Sequence, residues 1–352
     1  MNSFLTSTQN RNWIKTELQL KKTEKIKIER ILKRINEINL LIKKENEEKA
    51  HEPSTDNKSK NSSNFQKYIS AKSLLTPNDE KILIIYYSNS LIKSLNSQSN
   101  KSISLKNYVI SFFRRFYLKK SVLDYDPYFL MAASFHLGRK LSAMNYNMED
   151  YKKIFPVLSD NEDKLMEYEF YLCTILEYDF FVYNPYQALL GFIYTLKEKE
   201  FFLTQDENNY VSQEDFTNDC MNIIDKMYLT DIIFLYTYSE IALGSIFIKC
   251  QNKNINIANI SEKLDLDKII DVKDFIQNKV GDMEKKLGEI PKYESKEEED
   301  RKNNEIYKTV KHFLRDYPKY KAQLEKERVT LKKKMDDFEK NFNDIESQKQ
   351  EK

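Results

Sequence analysis

Glycine and histidine are scarce in this chain, and both scarcities restrict the chemistry that it can perform. Only five glycines occur among 352 residues, and they are dispersed, so no glycine-rich loop is available to hold a phosphate group. The three histidines lie far apart, and no two have the spacing of metal ligands. We therefore expect no catalytic residues, no cofactor and no metal site, and we interpret His136 as a packed helix residue.

Cysteine is rare and net charge is low. Cys173, Cys220 and Cys250 are far apart and odd in number, which favours reduced thiols over a disulfide framework or a zinc site. The 57 Lys and Arg nearly balance the 55 Asp and Glu, giving a formal charge of +2. No global positive field is then available to attract nucleic acid or anionic lipid. The composition indicates an intracellular protein and counts against DNA binding.

Signal-peptide and membrane-span patterns are not found in the sequence. The N-terminus has no basic start followed by an apolar core, so we expect no secretory signal. The most apolar long stretch, residues 227–249, contains Asp231 and Glu240, each of which would be costly in hydrocarbon. We interpret this stretch as two buried helices.

Helical periodicity dominates the sequence. Apolar residues recur at three- and four-residue spacing, and no Asn-Gly or Asp-Gly turn separates alternating runs, so the predicted class is all-α. Several helix starts are marked by a capping residue before a proline, or by a capping residue followed three positions later by Glu or Gln. These sites are Thr76-Pro77, Asp126-Pro127, Asn184-Pro185 with Gln187, and Thr237 with Glu240.

A long charged helix is predicted at the N-terminus, over residues 13–48. Its apolar stripe keeps a 3-4-3-4 rhythm and requires a surface to pack against. The stripe consists of Ile28, Ile31, Ile35, Ile38 and Ile42. Residues 49–64 are polar and lack apolar periodicity, which predicts a disordered linker.

A second long helix is predicted after Pro318, in the charged C-terminal segment. Its apolar residues repeat every seven positions over about three heptads, a coiled-coil-like pattern. The helix either folds back on the body or forms a seam with another protein, and the sequence leaves both interpretations open. The repeating residues are Leu324, Leu331, Phe338 and Ile345.

Residues 131–138 and 241–248 look alike, because both are apolar and rich in small residues. Small residues let neighbouring helices approach closely, as the central helix of a bundle requires. The pair is compatible with an internal duplication and equally with two ordinary buried helices.

Three segments resemble the cyclin family. FYLKKSVLDYDPYFLMAASFHLGRK (116–140) is similar to the second and third helices of a first cyclin box. EYEFYLCTILEYDFFVYNPYQALLGFI (167–193) resembles the fifth helix and the joint to a second box. MYLTDIIFLYTYSEIALGSIFI (227–248) is similar to the second and third helices of that box. The start STQNRNW (7–13) resembles the H type of cyclin in particular.

The resemblance implies an organisation and a function. It implies two tandem five-helix boxes with long terminal helices: an N-terminal helix in 1–48, a linker at 49–64, boxes at 65–182 and 183–287, and a charged segment at 288–352. It implies a non-catalytic subunit that activates a cyclin-dependent kinase of the CDK-activating type. A RING-finger assembly factor and the transcription factor TFIIH are further implied partners, with no direct nucleic acid or membrane. The implied location is nuclear, with a cytoplasmic pool also compatible.

The resemblance also places residues at the kinase. In cyclins a Lys on the third helix and a Glu on the fifth helix bind main-chain groups around the kinase C-helix, and Lys140 and Glu169 occupy those positions. An ammonium donor and a carboxylate acceptor can satisfy unpaired backbone groups at a helix end. Arg139 is a second candidate donor. Nearby aromatic residues form a pool from which about one in three is expected to contact the kinase: Phe135, Tyr146, Phe170 and Tyr171.

Three alternatives remain at this point. The chain departs from the H type after Lys140, where an acidic pair is replaced by Leu141, Ser142 and Ala143, and this departure puts part of the kinase-facing polar network in doubt. Cyclins C and K share parts of the similar segments, and EFYL (169–172) is closer to type C, so a transcriptional cyclin of type C or K is one alternative. A TFIIB-like nucleic-acid-binding protein with the same double fold is another, although it requires a basic face. A coiled-coil scaffold is disfavoured by the capped, apolar middle of the chain.

Overall fold

The fold is that of a computed structural model, in which every regular element of the described residues is a helix. This confirms the all-α class. None of the helices among the described residues combines the length and apolarity needed to cross a lipid bilayer. The described residues are 4–50, 75–97, 102–144, 148–156, 158, 161–202, 212–253 and 255–315.

A long N-terminal helix, α1, precedes a bundle of five helices. In the bundle, α4 is central, because it packs most extensively on α3 and α6 and also contacts α2. Its interior residues, such as Ala132, Ala133 and Phe135, are fully buried. The bounds are α1 Glu17–Ala50, α2 Pro77–Ser97, α3 Ile103–Lys119, α4 Pro127–Leu141, α5 Met148–Ile154 and α6 Glu162–Ile175.

A second bundle repeats this plan. Here α10 is central, packing against α7 and α8 as α4 packs in the first bundle. A single turn, α9, adds to the five longer helices, and α12 contains a π-helical stretch at Phe275–Val280. The bounds are α7 Pro185–Glu198, α8 Gln213–Tyr228, α9 Ile232–Leu235, α10 Tyr238–Lys253, α11 Ile257–Lys263, α12 272–288 and a last helix, α13, 296–315.

The predicted helix starts are confirmed by their hydrogen bonds. The Asp126 carboxylate accepts from the Tyr128 N–H at 2.8 Å, and the Asn184 amide oxygen accepts from the Tyr186 N–H at 2.9 Å. Thr237 and Glu240 form a capping box, in which the Thr237 N–H donates to the Glu240 carboxylate at 2.8 Å. These bonds satisfy main-chain donors that a helix end otherwise leaves unpaired.

The two look-alike segments lie in the two central helices, α4 and α10. A β-carbon added at Gly138 would lie 2.8 Å from Val109 Cγ2, and one added at Gly244 would lie 2.5 Å from Met283 Sδ. At both positions a side chain of a neighbouring helix occupies the space that a β-carbon would need, so a larger residue would require that side chain to move. The small residues serve close helix packing, as predicted.

The N-terminal helix begins at Glu17, so the predicted start at Trp13 is wrong. Thr16 and Gln19 form a capping box, with the Thr16 N–H donating to Gln19 Oε1 at 2.9 Å, and this box fixes the first turn. From the predicted stripe, Ile31 packs against the core and Ile28 is half-buried. The side chains of Ile35, Ile38 and Ile42 lie outside the described residues.

The inner face of α1 is held on the first bundle by ion pairs. Lys27 Nζ lies 3.0 Å from Glu80 Oε2 on α2, and both side chains are largely buried. One turn later, Arg30 Nη2 lies 3.1 Å from Asp124 Oδ2 in the α3–α4 loop. The first bundle therefore supplies the surface that the charged helix requires.

Trp13 anchors the segment before α1 to the junction of the bundles. Its indole is buried, and the Arg115 guanidinium and the Lys119 ammonium lie 4.8 and 4.5 Å from the ring centroid. Nearby, Gln9 Oε1 accepts from the Tyr183 N–H at 2.6 Å, and the Lys15 N–H donates to the Phe234 carbonyl at 2.6 Å. The segment thus contacts both bundles.

We expect Trp13→Ala to detach this segment while both bundles stay folded. Truncating a buried Trp removes about 3 to 5 kcal/mol of packing, which corresponds to about a hundredfold or more in the exposed population. Tryptic cleavage after Lys15, followed by intact mass, should accelerate by that factor. Trp13→Phe is the matched control and should keep most of the protection; equal cleavage of wild type and Trp13→Ala would contradict the anchoring role.

Helix α13 returns to the first bundle, which the sequence analysis did not predict. Tyr307 Oη donates to Asp126 Oδ2 at 2.8 Å, and Tyr86 Oη donates to Asp300 Oδ1 at 3.0 Å. Val310 and Phe313 are buried in the core. The predicted linker, apart from residues 49 and 50, and the heptad helix after Pro318 lie outside the described residues.

The two bundles are joined by a buried polar network around Asp225 of α8. Its carboxylate lies 2.5 Å from Lys106 Nζ of α3 and accepts from Tyr186 Oη of α7 at 2.6 Å. It also accepts from Asn96 Nδ2 of α2 at 3.1 Å. Because burial and this carboxylate raise the pKa of Tyr186 well above its ordinary value, the phenol stays a donor. The network fixes how the bundles are oriented.

Candidate kinase-docking site

Lys140 and Glu169 are brought together on one face of the first bundle, as a pair 29 positions apart in sequence. Lys140 is at the C-terminal end of α4, and its Nζ lies 2.7 Å from Glu169 Oε1 and 3.0 Å from Oε2 on α6. The Lys140 side chain is 51% exposed and that of Glu169 is 13% exposed. The ammonium can therefore donate outward while it holds the carboxylate in place.

His136 lies next to this pair, one helical turn before Lys140. Its Nε2 is 3.7 Å from Glu169 Oε2, and its ring packs edge-on against Tyr151 at 5.2 Å. Burial lowers the pKa of His136, and the nearby Glu169 carboxylate only partly offsets this effect. The imidazole is therefore neutral at neutral pH and supports the pair from within the bundle, as a packed residue.

Exposed apolar residues lie close in sequence to both members of the ion pair. Phe170, next to Glu169 on α6, is 62% exposed, and Met166, one turn earlier, is 58% exposed. Leu141, next to Lys140, is also exposed. Large apolar side chains that remain exposed around a partly buried ion pair are typical of a protein interface, in which they supply most of the binding energy.

Two of the predicted contact residues are corrected by their burial. Phe135 is fully buried and its ring packs against Tyr151 and Phe155 at 5.9 and 5.5 Å, so it belongs to the core. Arg139 is also buried, with its guanidinium 5.6 Å from the Phe135 ring. Both lie on the inner side of α4, since a helix rotates by about 100° per residue. Neither can meet a docking partner at the surface.

The remaining aromatic candidates differ in how far their side chains are exposed. Tyr171 is half-buried, and its hydroxyl donates to Glu167 at 2.7 Å, a bond that raises the pKa of the phenol. Tyr146 lies outside the described residues. Phe170 is thus the described aromatic of that pool with the largest exposed surface.

Met166 was not predicted from the sequence as part of this face, and Leu141 was named there only as a departure from the H type. Both are apolar residues on helices with many other apolar residues, so periodicity gave no sign that they face outward. The spacing of Met166 and Phe170 at i and i+4, with Glu169 between them in sequence, is the signal that could have shown a common face.

The face around Lys140 and Glu169 carries groups that can contact another protein. Within the described residues, no group of three or more His, Cys, Asp or Glu could hold a metal ion. Cys220 and Cys250 are fully buried and burial raises the pKa of both thiols, so neither is placed as a nucleophile. The face offers one donor, one acceptor and the exposed apolar side chains of Phe170, Met166 and Leu141.

The second bundle matches a known protein family. Residues 184–315 match the cyclin C-terminal domain. The match covers α7 to α13, so it includes the returning helix that contacts the first bundle. The second bundle is therefore similar to the C-terminal domain of cyclins.

Its relatives include cyclins of the H type. The chain is 32% identical over 177 residues to the cyclin Mcs2 of Schizosaccharomyces pombe, covering 49% of this chain and 51% of the relative. It is 26% identical over 191 residues to Cyclin-H of Xenopus laevis, covering 52% and 56%. The chain thus spans about half the length of the curated relatives it matches.

Solved structures share the fold over a larger part of the chain. A chain of the CAK complex of Chaetomium thermophilum bound to ATP-γ-S has a TM-score of 0.60 at 20% identity, covering 89% of this chain and 87% of that one. A chain of the yeast TFIIK complex of Kin28, Ccl1 and Tfb3 has a TM-score of 0.56 at 18% identity, covering 81% and 100%. Chains of two solved structures therefore share the two-bundle fold.

Proposed function

We propose that this protein is a regulatory, non-catalytic cyclin subunit that binds and activates a cyclin-dependent kinase of the CDK-activating type. The observation that carries the proposal is the pairing of Lys140 and Glu169 on the first bundle, with exposed apolar residues close to both in sequence. The relationship to H-type cyclins supports the same activity.

The mechanism is a shift of the kinase between two conformations. A kinase is active when the Glu of its C-helix pairs with the Lys that holds the ATP phosphates. A partner that binds the inward C-helix more tightly than the outward one moves the population toward the active state. Reversing a ratio of 1:99 requires roughly 5.5 kcal/mol of differential affinity. Charge-assisted hydrogen bonds contribute about 1.5 to 3 kcal/mol each, so apolar contact must contribute as well.

Phe170 and Met166 are the side chains that we expect to supply this apolar contact. Phe170→Ala combined with Met166→Ala should weaken kinase binding about tenfold or more, because the truncated side chains lose buried area only in the complex. Kinase affinity, measured by biolayer interferometry with the purified subunit, tests this proposal directly. The thermal midpoint should stay close to that of the wild type, since both side chains are exposed when the protein is free.

Ile269→Ala is the matched control for these substitutions. Ile269 is also a large exposed apolar residue, but it lies in the second bundle, between α11 and α12. Its replacement should leave kinase affinity unchanged. If Phe170→Ala with Met166→Ala bound the kinase as tightly as the control, the docking face would have to lie elsewhere.

The remaining partners follow from the H-type relationship. The yeast neighbour is a complex of Kin28, Ccl1 and Tfb3, and we extend a three-subunit assembly, with a RING-finger factor and attachment to TFIIH, to this protein. A nuclear location accompanies that assembly. The proteins that co-purify with the tagged chain identify the kinase. A CDK-activating kinase would support the H type, whereas a kinase that pairs with cyclins of type C or K would support that alternative.

A further inference from the structure

Helix α1 has two opposed faces, and among the described residues only one of them packs against the rest of the fold. The inner face, with Lys27 and Ile31, packs on the first bundle. The other face carries four apolar side chains that are between 48% and 78% exposed. At about 100° per residue these four lie within an arc of about 120°, opposite the inner face. We call them the outer stripe; they are Leu18, Ile26, Leu32 and Leu40.

The outer stripe is long enough to hold a partner helix. From Leu18 to Leu40 it extends about 33 Å, at about 1.5 Å per residue. Single exposed apolar residues are normal on a protein surface, but an aligned series along one helix marks an interaction surface. The inner face attaches α1 to the first bundle, and the packing of the described residues leaves the outer stripe exposed.

The charge of this face indicates which charge its partner should carry. Lys22, Lys25 and Lys33 are exposed and fall within the same arc. Glu29 is the acidic residue of the arc, and it lies 3.8 Å from Lys25. The face therefore carries apolar side chains interspersed with basic ones, and it complements a surface that combines apolar and acidic side chains.

A second copy of this chain would fit the outer stripe poorly. The antiparallel register that aligns Leu18 with Leu40 and Ile26 with Leu32 also places Lys25 against Lys33 and Glu29 against its own copy. A parallel register places every charged residue against itself. Both arrangements bring like charges together, which is unfavourable.

We propose that the outer stripe of α1 is a docking surface for an acidic amphipathic helix of another protein. The partner would carry an apolar stripe at i, i+3, i+4 and i+7 bordered by Asp and Glu, in the helix-to-helix mode of recognition. This surface is distinct from the face around Lys140 and Glu169. It does not depend on the proposed kinase activation.

Two designed peptides test the proposal. Both are 24-residue helices with the same leucine stripe, and the bordering residues are Glu in one and Lys in the other. In fluorescence anisotropy with the full chain, the acidic peptide should bind about tenfold or more tightly than the basic one, and its affinity should fall with added salt. Ile26→Glu with Leu32→Glu should weaken acidic-peptide binding about tenfold or more, because it adds like charge and removes apolar area.

Two controls distinguish binding at the outer stripe from a general effect of added charge. Ile269→Glu adds charge at an equally exposed site in the second bundle and should leave peptide binding intact. Kinase activation by the Ile26→Glu, Leu32→Glu variant should equal that of the wild type. Equal affinity for both peptides, or no binding of the acidic one, would overturn the proposal. So would dimerisation, or binding to vesicles of anionic phospholipid, that only the wild-type stripe supports.

Discussion

Replacing Lys140 and Glu169 together with alanine is expected to lower kinase activation about tenfold or more at equal cyclin concentration. The physical reason is the arrangement of the pair in the free protein. Both Glu169 oxygens accept from Lys140, so the carboxylate already has a fixed orientation. The ammonium is half-exposed and has a further N–H that it can donate to a partner. The substitution removes one donor and one acceptor for backbone groups of the kinase. Phosphorylation of an acceptor peptide by the purified kinase measures the loss.

Two variants distinguish a docking role for this pair from a structural one. Lys140→Glu with Glu169→Lys restores an ion pair across the same two helices but exchanges donor and acceptor, so activation should stay low. Lys199→Ala with Asp265→Asn removes an exposed ion pair of the same 2.7 Å length in the second bundle and should have no effect. Helical content, followed by circular dichroism, should be unchanged in each. Full activation by the exchanged pair would show that only the internal bond matters.

The second large effect is expected at the network between the bundles. Asp225→Leu takes the carboxylate away from the Lys106 ammonium, which is largely buried, and it removes the acceptor of Tyr186. Breaking a buried ion pair by removing one partner costs about 3 to 5 kcal/mol of stability. Urea denaturation should show this loss as a lower midpoint with both bundles affected, because α2, α3, α7 and α8 all contribute to the network.

A matched double substitution tests the cause of that loss. Lys106→Met with Asp225→Leu removes both charges, so it should recover much of the stability lost in Asp225→Leu alone. Lys199→Ala, which removes an ion pair at the surface, should leave the midpoint nearly unchanged. If the double substitution were as unstable as Asp225→Leu alone, the loss would come from packing around Tyr186 and not from the charge that remains on Lys106.

Local signals predicted much of the fold. The starts of α4 and α7 were correct because Asp126-Pro127 and Asn184-Pro185 act on main-chain groups within three residues of the cap. The start of α1 was misplaced, because Thr16 and Gln19 form a capping box that the charged surroundings obscured. The return of α13 to the first bundle depends on Tyr307 reaching Asp126, 181 positions away, and no local pattern encodes such a contact.

The docking face was only partly predictable. Lys140 and Glu169 entered through family resemblance, since nothing in their spacing shows that they form an ion pair. Phe135 and Phe170 are the same residue type on neighbouring helices, yet one is buried and the other exposed. The difference depends on which side of each helix meets the rest of the bundle, and only the tertiary structure determines this for aromatic residues in apolar helices.

The most direct measurement of the central proposal is reconstitution. The purified chain is titrated into the purified CDK-activating kinase subunit of the same organism, and phosphorylation of an acceptor peptide is followed. Activity should rise from near zero and reach a plateau at one chain per kinase, and the Lys140→Ala, Glu169→Ala variant should reach a plateau about tenfold or more lower. A stable complex whose activity equals that of the kinase alone, or the absence of any complex, would contradict the proposed function.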